Sequence, residues 1–438
     1  MPLDTPSTTT LRDRILALVA EYHATAHGPR AFVPGRSRVH YAGRVYDSRE
    51  MMAAADAVLE FNLTAGRFAN QLEETLRKHF GARRFLLVNS GSSANLLMVS
   101  TLCGQTAPDR LRDGDEVITP AATFPTTLAP VLQNRLVPVL VDCAPGTLNM
   151  DTHKAMAAVG PRTRAILVPH TLGSPWHLAE LAAFCRDKGL YLLEDSCDAL
   201  GGTYDGKPVG GFGDMSTISC YPAHQITMGE GGGVAVNNRM LVKTALSMRD
   251  WGRDCWCEPG QSNTCGTRYD WQLGDLPKGY DHKFTYSNIG FNLKATDLQA
   301  AIGVEQFAKL PEFVAARRRN FAFYREALAP LQHHLEFARS DPRADPAWFG
   351  FAITVGDHID RGALIRHLDA RNIETRLLFG GNILRQPGYR DIPHRLAGDL
   401  VETDRLAERT FFIGIYPGLT EPMRDYVVSS LFDFFAGV

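Results

Sequence analysis

The sequence has no excess of charge of either sign: Lys and Arg total 46 against 48 Asp and Glu, for a formal net charge of −2. A chain so balanced carries no broad field for nucleic acid, and an anionic ligand needs a local pocket instead. No apolar run approaches the ~18 residues of a membrane-crossing helix, so no membrane partner is expected. Arg12, Asp13 and Arg14 fall where the apolar stretch of a secretory signal would begin. Cysteine is sparse, 8 in 438 residues, which excludes a disulfide-stapled scaffold and suits a cytoplasmic setting. Internal repeats and low-complexity tracts are missing as well.

What is there has the profile of a globular enzyme, 45% hydrophobic and 21% charged, in a chain too long for one small core. Leu11, Ile15, Leu18, Val19 and Tyr22 share one face of a helix over 11–22, and Phe68, Leu72, Leu76 and Phe80 repeat every four residues. Strand-like runs follow at 85–88, 116–119, 137–142, 165–168, 191–194 and 215–220, separated by helical stretches such as 178–188. This alternation predicts an α/β fold with a mostly parallel sheet covered on both faces. From about Cys255 to Gly290 the periodicity gives way to Gly, Pro, Asp and aromatic residues, and so long a loop is usually functional. The segments 348–355, 362–371 and 426–435 then suggest a smaller α+β domain. The expected organisation is an N-terminal helical segment over 1–60, a large domain over 61–305 carrying the loop 253–290, and a small domain over 306–438.

Three segments suggest chemistry. Phe85-Leu86-Leu87-Val88-Asn89-Ser90-Gly91-Ser92-Ser93-Ala94-Asn95 reads as a strand, a small-residue turn and a helix. Such a turn lets backbone N–H groups approach an anion at the positive end of the helix dipole, although a capped helix has the same look. Leu193-Glu194-Asp195-Ser196-Cys197-Asp198 puts acids at the carboxyl end of a hydrophobic strand, the edge where open α/β sheets bind ligands. A helix N-cap with a solvated acid is the other reading of that segment. Ser219-Cys220-Tyr221-Pro222-Ala223-His224 runs on into Gly229-Glu230-Gly231-Gly232.

In order and spacing these segments resemble the sugar aminotransferases of the fold-type I pyridoxal-phosphate superfamily, over most of the chain. The resemblance implies that fold, with a mostly parallel large domain and a smaller C-terminal α+β domain. It implies that Gly91, Ser92, Ser93 and Ser219 hold a cofactor phosphate and that Asp195 pairs with the pyridine nitrogen. Phe124 would stack on the ring, and Asn292 would reach a phosphate across a homodimer interface. One position departs. Where that family carries the lysine that tethers the cofactor, this chain has His224. Without an amine there is no covalent tether, so pyridoxamine 5′-phosphate (PMP), which brings its own amine, is the natural form. Histidine still offers a base near neutral pH.

Cys255, Cys257 and Cys265 follow a Cys-x-Cys-x7-Cys pattern, with Cys197 upstream. Four thiolates suit a [2Fe–2S] cluster or a structural zinc; Cys197, beside the proposed pyridine partner, favours an electron relay. With His224, this pattern resembles the nucleotide-sugar 3-dehydrases, which act on CDP- or dTDP-linked 4-keto-deoxyhexoses. The resemblance implies PMP- and [2Fe–2S]-dependent C3 dehydration in deoxysugar biosynthesis. It also implies an NADH-dependent flavin iron–sulfur reductase as partner, His224 as catalytic base, and Asp198 and Tyr221 beside the cofactor. An aminotransferase using another lysine and a zinc-stabilised non-enzyme are the alternatives.

Overall fold

A computed structural model describes residues 8–28, 31–257 and 261–437. Its centre is an eight-stranded sheet in the order Arg84–Val88, Gly232–Val236, Met215–Ser219, Tyr191–Asp195, Thr163–Pro169, Glu116–Pro120, Val137–Val141 and Arg395–Leu396. Gly232–Val236 runs antiparallel to both its neighbours, and the other pairings are parallel. The strands between are buried on both faces, which is why runs such as Val137–Val141 are continuously apolar rather than alternating. Each such Leu, Val or Ile contributes roughly 1.5–3 kcal/mol by burial. That burial fixes which residues reach the carboxyl edge.

The expected elements formed close to the expected bounds. Arg67–Phe80 is a helix closed by Gly81 at φ +64°, and Leu178–Lys188 is another. The segment between Cys255 and Gly290 holds, among the described residues, one short turn of 3-10 helix at His282–Phe284. A second sheet of four antiparallel strands, ordered Leu335–Phe337, Gly350–Val355, Thr410–Gly414 and Thr375–Leu377, forms the smaller unit. Its core stacks Phe321 on Trp348, with ring centres 3.9 Å apart, against Phe351, Phe411 and Ile413. One strand of the large sheet, Arg395–Leu396, comes from beyond residue 306, so the chain returns to the large sheet before it ends.

The N-terminal helix, Thr8–Ala26, spans the expected residues, but none of its side chains is buried. It is tied by Arg12 to Asp56 and Glu60, while Leu18 and Tyr22 are 63% and 60% exposed.

Candidate active site

The parallel strands end at one edge, and a cavity of about 640 Å³ opens there. Its wall takes Ser90, Gly91 and Ser92 from the turn after Val88, Phe124 from the turn after Pro120, and His170 from the end of Thr163–Pro169. Asp195, Cys197 and Asp198 come from the next strand end, and Ser219, Tyr221 and His224 from the one after. Nine of the residues singled out from the sequence therefore converge: Gly91, Ser92, Phe124, Asp195, Cys197, Asp198, Ser219, Tyr221 and His224.

At one end lies an anion cradle. Ser90 caps the helix Gly91–Cys103, its hydroxyl accepting from Ser93 N at 3.0 Å. Ser92 Oγ donates to Thr126 Oγ1 at 3.0 Å. A Cβ on Gly91 would stand 2.6 Å from the Ser219 Cβ, so a larger residue would close the gap between that helix and Ser219. The Ser93 side chain is turned into the cap beside Ser90 and lies outside the cavity wall.

Asp195 forms the floor. It is 7% exposed and accepts from Asn95 Nδ2 at 2.8 Å, Thr127 Oγ1 at 2.7 Å and Cys197 N at 3.2 Å. Thr217 Oγ1 braces Asn95 in turn, at 2.8 Å. The carboxylate is thus held in place by donors from three separate segments. Phe124 is 48% exposed and faces this space.

His224 Nδ1 stands 3.4 Å from Asp198 Oδ1. The atoms are close but not aligned as a hydrogen bond, and Nδ1 is buried without a partner. The residue is held from behind. Arg317, buried, donates to the carbonyls of His224 at 2.8 Å and Ala223 at 3.3 Å, and also to Trp348 and Phe349 at 3.2 Å each. The His224 ring leans on Phe349 at 5.1 Å. No lysine lines the cavity among the described residues; Lys243 pairs with Asp254 at 3.0 Å instead.

Asn292 and the three loop cysteines do not reach the cavity within one chain. Asn292 is exposed and accepts from Lys294 Nζ at 2.8 Å. Cys257 N donates to Cys255 Sγ at 3.5 Å, and the Cys257 thiol meets Thr264 Oγ1 at 3.0 Å. Burial raises the Cys255 thiol; at Cys257 burial works the same way, but hydrogen bonds from Thr264 outweigh it and lower the thiol. Hydrogen bonds from Thr267 lower Cys265. Burial, reinforced by Asp195, pushes Cys197 well up. Within the loop, Trp271 stacks on His282 at 4.8 Å; the Trp271 Nε1 donor and His282 Nδ1 are buried without partners, while His282 Nε2 meets Asp254 at 3.0 Å.

Among the described residues, the one group of three metal-ligand side chains whose donor atoms lie within 4.8 Å of one another is His153, His177 and Glu180, none of which lines the cavity. A tetrahedral thiolate zinc needs sulfurs about 3.8 Å apart, from Zn–S bonds of about 2.3 Å. No three of the cysteines are gathered that closely.

Sequence reading missed Asn95 and Thr127, which hold Asp195, and Arg317, which holds His224. It also missed an aromatic wall of Phe349, Phe379 and Phe412, with ring centres 5.9–6.3 Å apart. Only a hydrophobic label marks such residues in the sequence.

Residues 45–432 match the model of the DegT/DnrJ/EryC1/StrS aminotransferase family. The chain belongs to that family. It is 49% identical over 428 residues to a dTDP-4-dehydro-2,6-dideoxy-D-glucose 3-dehydratase of Saccharopolyspora spinosa, covering 97% of this chain and 92% of the relative. It is 47% identical, again over 428 residues, to the lipopolysaccharide biosynthesis protein RfbH of Salmonella typhimurium, covering 97% and 98%. Its fold matches a solved structure of the E. coli GDP-4-keto-6-deoxy-D-mannose-3-dehydratase with bound hydrated PLP. There the TM-score is 0.81 and the identity 27%, over 90% of this chain and 99% of that one. The fold is thus that of the pyridoxal-phosphate-dependent aminotransferases, as expected. No helix among the described residues is long and apolar enough to cross a membrane.

Proposed function

We propose that this family member is a dehydratase that removes the C3 hydroxyl from a nucleotide-linked 4-keto-6-deoxyhexose in deoxysugar biosynthesis. The observation that carries the reading is His224: it stands where the family's lysine is expected, paired with Asp198, in a cavity that no lysine lines. The printed activity of the relative at 49% identity supports the same reaction class.

The residues fit pyridoxamine phosphate. Gly91, Ser92 and Ser219 hold its phosphate at the helix end, Asp195 holds the pyridinium proton, and Phe124 covers the ring. Bound there, it supplies an amine for the C4 ketone and a ring that accepts electron density. His224 would take the proton at the cofactor's C4′ carbon, with the carboxylate of Asp198 beside its Nδ1. The proton it gains is then at hand for the hydroxyl departing from C3, which leaves more readily as water. Tyr221, 49% exposed on the cavity wall, positions the sugar.

Cys197, Cys255, Cys257 and Cys265 are proposed to hold a [2Fe–2S] cluster. The donor chemistry fits: all four are free thiols, hydrogen bonds lower the Cys257 and Cys265 thiols, and the unpartnered indole N–H of Trp271 lies in the same loop. Such a cluster passes electrons singly from an NADH-dependent flavin iron–sulfur reductase. The open apolar face of Thr8–Ala26 supports a homodimer, in which Asn292 reaches the partner's phosphate site. Eight free cysteines suit a cytoplasmic setting.

The test is to incubate the PMP form with dTDP- and CDP-linked 4-keto sugars in oxygen-18-labelled water. Solvent label at C3 is the expected result. Amino transfer to the sugar from a donor amino acid would mark an aminotransferase instead, and inertness a non-enzyme.

A further inference from the structure

The cavity carries three carboxylates, Asp195, Asp198 and Glu230, and among its described residues a single arginine or lysine, Arg376. Arg376 sits in Thr375–Leu377, the edge strand of the small sheet, opposite Phe412 in register. Its guanidinium lies 4.0 Å above the ring of Tyr41 and donates to the Thr375 carbonyl at 2.8 Å. No carboxylate among the described residues pairs with it, whereas Arg38, Arg385, Arg395 and Arg405 of the same chain each have one. A permanent cation left unpaired in an otherwise acidic cavity is placed for an anionic ligand.

The rest of the wall gives that ligand a direction. From His224 the ring of Phe349 is 5.1 Å away, Phe412 lies 5.9 Å further on, and Phe412 faces Arg376 across the strand pair. Phe379 closes the same wall at 6.1 Å from Phe412. The wall therefore runs from the base, along an apolar shelf, to the cation. In a hexopyranose C1 and C4 lie on opposite sides of the ring. A sugar with its C4 ketone at the cofactor end must send its C1 substituent toward the other end. With a methyl group at C6, its apolar edge suits aromatic rings.

We propose that Arg376 binds the diphosphate at C1 of a nucleotide-linked deoxysugar, and that Phe349, Phe379 and Phe412 form the shelf on which the sugar lies. This rests on the dehydratase reading. A guanidinium fork matches phosphate oxygens through two parallel hydrogen bonds, which a point charge does not. The Tyr41 ring beneath it, 4.0 Å away, steadies the guanidinium before the ligand arrives. Arg376 acts by positioning, since it touches the substrate far from the reacting carbons.

The experiment measures binding of dTDP, CDP and thymidine to the cofactor-loaded protein by calorimetry, in wild type, Arg376→Gln and Arg376→Lys. Arg376→Gln should weaken the nucleoside diphosphate roughly 10- to 100-fold, leave thymidine unchanged, and keep the melting temperature and the cofactor spectrum of wild type. Arg376→Lys should fall between. In turnover, KM should rise while kcat at saturation holds. A glutamine variant that binds the diphosphate as tightly as wild type overturns the assignment. If wild type binds neither diphosphate, the nucleotide-sugar reading itself falls, and this inference with it.

Discussion

Arg317 and His224 are joined by a hydrogen bond from a buried guanidinium to the histidine's own carbonyl, at 2.8 Å. The same guanidinium reaches Phe349, on which the His224 ring leans. One cation, separated from His224 by most of a hundred positions in the chain, thus fixes both the backbone and the ring surroundings of the proposed base. The imidazole keeps some freedom all the same, because its Nδ1 stands 3.4 Å from Asp198 without an aligned hydrogen bond.

Restoring an amine at this position is the direct test of the assignment. His224→Lys should form a covalent Schiff base with added pyridoxal phosphate, gain some amino transfer and lose dehydration. An absorption spectrum reads the first outcome. A variant that shows no Schiff-base band removes position 224 from the tether site.

Asp195→Asn should weaken cofactor binding by about 2–3 kcal/mol and nearly abolish turnover, because a neutral amide does not hold a pyridinium proton. The loss is read by titrating apoprotein with cofactor. Asn95 and Thr127 both donate to this carboxylate and lose an acceptor of full charge, so a modest fall in melting temperature should accompany it. Wild-type affinity would take Asp195 out of the site.

In metal-free protein, alkylation should separate the cysteines by their ionisation. Cys257 and Cys265 are lowered, so at pH 7 their thiolate fraction, the reactive form, is enlarged. Burial raises Cys103, Cys143, Cys185 and Cys220 to about 12, and Cys197 is raised well above its usual value, so these stay protonated through pH 8. Peptide mapping after a short iodoacetamide pulse should find label at Cys257 and Cys265 first. Equal labelling of Cys197 would contradict its placement.

Cys257→Ser and Cys265→Ser should lose bound iron yet retain solvent exchange at C3, because the elimination needs no electron transfer. The same variants should yield no reduced 3-deoxy sugar with a competent reductase and NADH, since a neutral serine hydroxyl is a poor iron ligand. The far-ultraviolet spectrum should hold, as the loop adds little regular structure. A serine variant that still gives the 3-deoxy product at the wild-type rate would sink the relay.

The strands and the acids at their ends were legible because burial on both faces writes a continuous apolar run followed by a polar turn, as in Tyr191–Asp195. Glycine-rich Gly232–Val236 was not, since its first two residues have no side chain to register in a hydrophobic pattern. Gly232 is nonetheless required, as a Cβ there would meet the Ser90 carbonyl carbon at 2.6 Å. Asn95 and Arg317 escaped for another reason. Their partners, Asp195 and His224, are distant in sequence, and no local period announces a contact made only after the sheet and the small unit come together. The N-terminal helix was foreseen, but its apolar stripe suggested burial that one chain does not provide.

A cavity without a lysine also changes how cofactor and protein are coupled. A tethered cofactor stays through every cycle whatever its supply; one held only by Asp195, the helix end and Phe124 comes and goes with its free concentration. Occupancy then follows the ratio of that concentration to the dissociation constant, and fold stability follows with it. The gain is about 2.7 kcal/mol when the cofactor stands a hundredfold above that constant, and it shrinks toward nothing as the pool drains. On the proposed reading, the cell's vitamin status becomes a term in both the activity and the lifetime of the protein.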